Sequence, residues 1–138
     1  MKYSNATNYA LHTMVQLIRL PRDASIGVQE LAKAQQLSPT YLSKILTKLT
    51  KAGLIESTPG AKGGYRLARG EREISFFDVI QAIEGENHLF DCTLHRHEGC
   101  LIEKVMRDAE ANMKQELQEQ LLVDIAEQAG QHQGGDGK

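Results

Sequence analysis

The segment from Ser38 to Gly53 constrains the fold of this chain more than any other part of the sequence. Ser38 followed by Pro39 is a typical helix start, because the serine oxygen can cap N–H groups and proline has no N–H that needs a partner there. Gly53 is placed to end the helix in a left-handed conformation. Apolar residues recur between these ends at helical spacing and form one stripe that must face a core: Leu42, Ile45, Leu46 and Leu49.

The opposite side of this helix carries lysines and hydroxyl groups and no acidic residue. A shorter helical pattern through Glu30, Leu31 and Ala34 precedes it, after a tight connection over 35–37. Two short helices joined by a brief turn, the second presenting lysines, indicate a helix-turn-helix. A solvated helix face is the alternative, but the lack of acids and the basic hairpin that follows favour DNA contact. The predicted DNA-binding residues of this helix are Ser38, Thr40, Tyr41, Lys44, Thr47, Lys48 and Lys51.

A β-hairpin with a glycine-rich, basic tip is predicted directly after this helix. Residues 54–58 and 65–68 have strand character, and 59–64 form the turn. The glycines could instead cradle a nucleotide phosphate, but the GK[ST] ending of a P-loop is missing. A wing whose tip reaches the minor groove fits better. The predicted DNA-binding residues of the wing are Lys62, Gly63, Gly64, Tyr65 and Arg66.

The charge distribution supports a nucleic-acid binder, although the net charge of −2 does not. Residues 1–72 hold eleven Lys and Arg against four Asp and Glu, a balance of +7. Residues 73–138 hold five basic residues against fourteen acidic ones, a balance of −9. The chain therefore consists of a basic half joined to an acidic half. Its near-neutral net charge does not reveal the local positive charge that could bind nucleic acid.

The remaining helices follow from apolar periodicity and capping signals. A first helix is predicted from about Ser4 to Leu20, and another begins at Ser75, with Asp78 completing a capping box, and stops at Gly85. A single long helix is predicted over 101–129. Its apolar stripe needs a partner and comprises Ile102, Val105, Met106, Ala109, Met113, Leu117, Leu121 and Ile125. The predicted organisation is a DNA-binding region over 1–72, a connecting helix over 73–85, a Cys/His loop over 86–100, this long helix, and a disordered tail over 130–138.

Three segments closely resemble one bacterial family of winged-helix regulators. They are 37–42 (LSPTYL), 49–55 (LTKAGLI) and 60–67 (GAKGGYRL), and 74–85 adds to the likeness. The family contains the iron–sulfur cluster regulator IscR, the nitric-oxide sensor NsrR and the cysteine-metabolism regulator CymR. The resemblance implies a mainly α fold with a two-stranded wing and a long C-terminal dimerisation helix. It also implies a homodimer on a palindromic operator and a sensor in the 86–100 loop.

The predicted sensor loop departs from the cluster-binding relatives, which carry three cysteines there. This chain carries two, in the arrangement C-x-x-H-x-H-x-x-C formed by Cys92, His95, His97 and Cys100. Thiolates and imidazoles bind soft metals and clusters, so one reading is an iron–sulfur cluster or another metal. A second is a thiol switch that responds to oxidants or electrophiles. A third is that the two cysteines have no sensing role.

The sequence therefore predicts a DNA-binding transcriptional regulator that acts as a repressor, and not an enzyme. No nucleophile triad, paired-carboxylate site or cofactor fingerprint is present, so no small-molecule substrate is expected. No apolar run is long enough to span a bilayer and no leader pattern is recognised, so we expect a cytoplasmic protein without membrane contact. The alternative is a protein–protein adaptor built on the same fold, which would tolerate charge reversal at Lys44 and Lys48.

Overall fold

The computed structural model describes residues 3–61, 63–85 and 100–135. In chain order the elements are α1 (Asn5–Ile18), α2 (Val28–Gln35), α3 (Pro39–Lys51), β1 (Ile55–Thr58), β2 (Gly64–Leu67), a 3₁₀ turn (Glu71–Glu73), α4 (Phe76–Glu84), α5 (Leu101–Glu119) and α6 (Leu122–Gly135). The predicted mainly α fold with a two-stranded wing is confirmed. None of the described helices combines the length and apolar character that crossing a membrane requires.

The core forms where α1 packs against α3, α4 and α6. Helix α1 contributes Ala10, Met14 and Leu17, which are at most 3% exposed, and α3 contributes its predicted stripe. All four stripe residues of α3 are buried, as the apolar spacing predicted. Burial of such side chains stabilises a fold by roughly 1.5–3 kcal/mol each. The core therefore fixes which side of α3 remains available to a ligand.

The two ends of α3 have the predicted caps. The Ser38 hydroxyl accepts a hydrogen bond from the Tyr41 N–H at 3.1 Å, and Pro39 occupies the first turn. At the other end Gly53 has a φ of +77°, and the Leu54 N–H donates to the Leu49 carbonyl at 3.1 Å. This pattern is a Schellman motif, in which glycine adopts the left-handed conformation without a Cβ penalty.

The turn between α2 and α3 lies in the tight connection predicted over 35–37. Gln36 adopts a left-handed φ of +58°, and the Leu37 N–H donates to the Ala32 carbonyl at 2.9 Å. The left-handed conformation is uncommon for a residue with a Cβ. This turn sets the angle at which α3 leaves α2, so the helix-turn-helix geometry depends on it.

The prediction of one long helix over 101–129 is wrong. Helix α5 ends at Glu119, and Gln120 is extended with φ −92° and ψ 119°. Leu121 then forms an antiparallel bridge with Ser75, and α6 begins at Leu122. The break allows Leu122 and Val123 to enter the core, whereas a continuous helix could not turn three consecutive apolar residues to the same side.

The predicted boundary of the tail is also wrong. Helix α6 continues to Gly135, beyond the expected end at Ala129, and Ala126 is 5% exposed within the core. The backbone of 130–135, assigned to a disordered tail, therefore belongs to a helix that packs through its first turns. Residues 136–138 lie outside the described part of the chain.

Candidate nucleic-acid interface

Helix α3 presents a polar and basic surface that we call the recognition face. It comprises the seven residues predicted from the sequence, Ser38, Thr40, Tyr41, Lys44, Thr47, Lys48 and Lys51, and all seven are exposed. Burial of the apolar stripe on the other side of α3 forces these side chains outward. The helix contains no acidic residue. The recognition face is therefore a continuous surface of hydroxyl groups and positive charge.

The aromatic end of the recognition face is supported by α1. The ring of Tyr41 meets the ring of Tyr9 edge to face, with centroids 5.9 Å apart and planes at 89°. Edge-to-face pairs of this kind are favourable and restrict the orientation of both rings. Tyr41 nevertheless remains 38% exposed. Its hydroxyl-bearing ring is thus held in place while still accessible to a ligand.

The wing pairs in the register Ile55↔Leu67, Glu56↔Arg66, Ser57↔Tyr65 and Thr58↔Gly64. A third segment extends it, because the Tyr65 N–H donates to the Ile26 carbonyl at 2.7 Å and the Ile26 N–H donates back at 3.1 Å. Tyr65 is half-buried against the core. Its side chain thus packs against the core, and its predicted contact with DNA stays a prediction.

Glycine is required on the inner side of the wing. A Cβ at Gly64 would lie 2.6 Å from the Ile26 carbonyl, and the φ of Gly64 is +153°. A Cβ at Gly63 would lie 2.0 Å from the Thr58 carbonyl oxygen. Gly64 thus allows the close backbone approach that joins the wing to the segment before α2, and Gly63 allows the close approach of the two sides of the wing turn. Lys62, predicted as a DNA contact, lies outside the described residues.

Arg66 is engaged within the wing. Its Nε donates to a Glu56 carboxylate oxygen at 2.9 Å across the two strands, and both side chains are more than 40% exposed. An exposed pair of this kind contributes little to stability, about 0–1 kcal/mol. It does set the resting position of the guanidinium. A phosphate would have to compete with the Glu56 carboxylate for Arg66.

Glu84 is a charged group beside this surface that the sequence did not single out. It is the last residue of α4, and one of its carboxylate oxygens accepts hydrogen bonds from the Ser4 N–H at 2.7 Å, the Ser4 hydroxyl at 3.0 Å and the Thr7 hydroxyl. Partial burial opposes ionisation. The hydrogen bonds from Thr7 and Ser4 and the positive charge of Lys48 outweigh it, so the pKa of Glu84 lies below its usual value.

The lowered pKa predicts an acid-sensitive contribution to stability. Since the folded-state pKa is below the unfolded one, the stabilisation is complete above the ordinary glutamate range and is lost as the pH falls through the folded-state pKa. We expect the Glu84→Gln protein to lose less stability than the native chain on acidification from pH 7 to 3. Urea unfolding across this range measures the difference, and parallel curves for the two proteins would contradict it.

Of the four predicted sensor residues, the structure describes only Cys100. It is half-buried and caps α5, its Sγ accepting a hydrogen bond from the Glu103 N–H at 3.4 Å. Cys92, His95 and His97 lie outside the described residues. Within the described ranges no three His, Cys, Asp or Glu side chains are grouped closely enough to hold a metal ion. Whether the four predicted side chains meet therefore stays a prediction.

The apolar stripe predicted for the long helix is divided in α5. Met106, Met113 and Leu117 are half-buried on the side toward the rest of the chain. Leu101, Ile102 and Val105 are 76%, 68% and 66% exposed, and Ala109 follows them on the same side. We call these four residues the α5 apolar patch. Three large apolar side chains exposed side by side are unusual on a monomer and are typical of an interaction surface.

Comparison with known proteins places this geometry among transcriptional regulators. Residues 3–128 match the family model Rrf2, described as an iron-dependent transcriptional regulator. YwgB of Bacillus subtilis (strain 168), named as a candidate HTH-type transcriptional regulator, is 30% identical over 95% of this chain and 88% of its own length.

Two solved structures share the fold over most of their length. CymR, the global cysteine regulator of B. subtilis, superimposes with a TM-score of 0.80 at 26% identity, covering 92% of this chain and 97% of its own. The IscR structure from T. potens gives a TM-score of 0.76 at 27% identity, with 94% and 88% covered.

Proposed function

Because this chain belongs to the Rrf2 family of transcriptional regulators, we propose that it binds double-stranded DNA as a homodimer and represses transcription from a palindromic operator in the cytoplasm. The observation that carries the proposal is the recognition face. Its seven side chains are exposed together on a helix without acids, and the wing follows at the end of that helix. Lysines bind phosphates through charge, and hydroxyl groups hydrogen-bond to phosphates and base edges.

The dimensions of α3 suit the major groove. Thirteen residues give a helix about 20 Å long. A major groove about 12 Å wide admits one helix with its side chains. We infer that Ser38, Thr40 and Tyr41, at the start of α3, approach base edges, as the N-terminal residues of recognition helices do. Lys44, Lys48 and Lys51 then lie along the phosphate backbone.

The wing would contact the adjoining minor groove through Lys62, Gly63, Gly64 and Arg66. The narrow minor groove attracts arginine, and glycines let the backbone approach the phosphates. Because Glu56 holds Arg66 in the free protein, part of the binding free energy goes into separating this pair. Glu56 thus moderates the affinity that the wing supplies.

Glu56→Gln is expected to bind DNA about three- to tenfold more tightly. The neutral amide leaves Arg66 free for a phosphate, so the slope of log affinity against log salt becomes steeper by up to about 0.9. Fluorescence anisotropy between 50 and 200 mM salt measures both quantities. Glu71→Gln, which removes an exposed carboxylate outside the wing, is the matched control. Unchanged affinity with Glu56→Gln would show that Arg66 does not contact DNA.

The α5 apolar patch supplies the dimer contact in this proposal. Helix α5 has no buried residue in the single chain, so its exposed side needs a partner, and a second copy offers an equal patch. Two chains joined in this way would present two recognition faces, and the spacing between them fixes the spacing of the half-sites. The patch begins one residue after Cys100. Chemistry at that cysteine would therefore act beside the dimer contact.

Control by the 86–100 loop takes one of two forms. Cys92 and Cys100, with His95 or His97, would hold an iron–sulfur cluster or another metal, since thiolates and imidazoles are suitable donors. Alternatively the two thiols respond directly to oxidants or electrophiles. Cys100 connects either form to the dimer contact, because its Sγ caps the start of α5 and accepts a hydrogen bond from the Glu103 N–H. Iron and sulfide content after purification without oxygen distinguishes the two. Cys92→Ser and Cys100→Ser then test the thiol form.

Selection from a random duplex library tests the proposed function. We expect the recovered sequences to share an inverted repeat, with half-sites about one helical turn or a multiple of it apart. Sedimentation should give two protein chains for each duplex. Recovery of no common sequence, or of a single unrepeated site bound by one chain, would contradict the proposal.

A further inference from the structure

Glu84 joins the end of α4 to the beginning of α1. A single carboxylate oxygen accepts from the Ser4 backbone, the Ser4 hydroxyl and the Thr7 hydroxyl, three donors within one turn. Ser4 is the N-cap of α1 but caps it with no side-chain hydrogen bond of its own. Thr7 is only 2% exposed. The N–H of the N-cap residue of α1 is therefore satisfied by a residue 80 positions away in the sequence.

This contact is favourable for more than one reason. A negative charge near the N-terminus of a helix interacts well with the helix dipole, and hydrogen bonds to an ionised acceptor are stronger than neutral ones. Glu84 also raises the pKa of Tyr3, where burial is the larger cause and the charges of Glu84 and Glu110 add to it. The first turn of α1 is thus fixed against α4 by a local network.

The position of α1 matters to the recognition face. Helix α3 packs against both α1 and α4, and the Tyr9 ring of α1 supports Tyr41 at the start of α3. Near the other end of α3, Lys48 is close enough to Glu84 for their charges to interact. The recognition face thus contacts α1 at its aromatic end, and at its lysine end it lies within the range of the Glu84 charge.

We propose that Glu84 is a positioning residue for DNA binding: it holds the first turn of α1, which supports Tyr41 through Tyr9, and its negative charge holds Lys48 in place on the recognition face. The proposal rests on the DNA-binding function proposed above. It also predicts a change in DNA affinity opposite in direction to the change expected from charge alone. Removing an acid beside DNA-binding lysines should tighten binding if only electrostatics matters, whereas loss of positioning weakens it.

The test uses the full chain and the duplex recovered by selection. Glu84→Ala is expected to bind this duplex about tenfold more weakly, with a salt slope less negative by about 0.9, as for Lys48→Ala. The double variant should bind more tightly than the product of the two single losses predicts, because both single changes include the loss of the Lys48 contact. Hydrogen exchange at residues 4–10 should quicken in Glu84→Ala without DNA.

Two further variants separate positioning from charge and from unfolding. Thr7→Val removes one donor and leaves the carboxylate, so it should bind two- to threefold more weakly at unchanged net charge. Glu71→Ala removes an exposed carboxylate elsewhere and should bind like the native chain. All proteins are compared at a temperature where circular dichroism shows equal folded fractions. A merely structural role would then leave the salt slope unchanged.

The outcomes distinguish this inference from the function on which it rests. If the native chain and Lys48→Ala behave as expected but Glu84→Ala binds equally well or more tightly, the positioning role is overturned and DNA binding stands. Additive losses in the double variant would also overturn it. If the native chain shows no salt-sensitive binding to the duplex, the proposed function fails and the inference fails with it.

Discussion

Reversing two charges on the recognition face is expected to abolish DNA binding while leaving the fold intact. Lys44 and Lys48 are exposed on α3, away from the buried stripe, so Lys44→Glu with Lys48→Glu should change the free energy of unfolding by less than about 1 kcal/mol. Each lysine that contacts a phosphate contributes about 0.9 to the salt slope, and reversal replaces attraction with repulsion. We expect the affinity for the operator to fall by at least about 100-fold.

The matched control for this pair changes the net charge by the same amount elsewhere. Arg72 is 68% exposed and pairs with Glu127 of α6, and Lys138 ends the chain. Arg72→Glu with Lys138→Glu should lower the affinity by no more than about threefold through the general change in charge. Full activity of the Lys44/Lys48 variant would favour the adaptor function instead, since an adaptor without DNA does not need this face.

Disrupting the α5 apolar patch is expected to weaken DNA binding by a comparable factor, because it prevents dimerisation. Val105 is 66% exposed in the single chain, so Val105→Asp costs little unless a second copy covers it. In a dimer contact, an unpaired carboxylate in an apolar interface is strongly unfavourable. We expect a monomer at micromolar concentration. Affinity for the palindromic duplex should fall by about 100-fold or more, because the two half-sites are no longer bound together.

Gln118→Asp is the control for the dimer prediction. Gln118 is exposed on the same helix but lies on neither the α5 apolar patch nor the side that packs against the chain. We expect Gln118→Asp to remain dimeric and to bind normally. Sedimentation velocity gives the state of assembly and anisotropy gives the affinity. A Val105→Asp protein that stays dimeric would show that the contact lies elsewhere, and one that is monomeric but binds normally would separate dimerisation from DNA binding.

Local signals predicted the part of the fold that carries the recognition face. The Ser38–Pro39 start, the apolar stripe and the Gly53 end all act within one helix, so the sequence alone was sufficient for α3. The Ser75–Asp78 capping box and the glycine-rich wing were predicted for the same reason, and both are confirmed. Membership of a family of transcriptional regulators also confirms the expectation that the chain is not an enzyme.

The errors arise where distant segments decide the local conformation. The break after Glu119 depends on the bridge between Leu121 and Ser75, which are far apart in sequence. The sequence does contain a signal for this break. Residues 121–123 are three consecutive apolar residues, and one face of a continuous helix cannot hold all three. Glu84 was missed for a similar reason, because its donors lie on α1. A periodicity analysis detects neither contact, since each one forms only when α1, α4 and α6 pack together.

The structure supports the three parts of the predicted site to different extents. The recognition face assembles as expected, with all its members exposed. In the wing, Arg66 is held by Glu56 and Tyr65 packs against the core, so the expected DNA contacts there require a rearrangement or fall to neighbouring residues. The sensor assignment depends on residues 92, 95 and 97, which lie outside the described ranges. Cys100 alone connects that prediction to the structure, at the start of α5.

The most direct test of the DNA-binding account is the salt dependence of the native chain on its recovered duplex. Anisotropy titrations between 50 and 200 mM salt, with a scrambled duplex as reference, should give a straight line of log affinity against log salt. Its slope should be about −0.9 for each phosphate contacted, and the scrambled duplex should bind at least about 1000-fold more weakly. Equal affinity for both duplexes, or no salt-sensitive binding in any redox or metal state, would contradict the account.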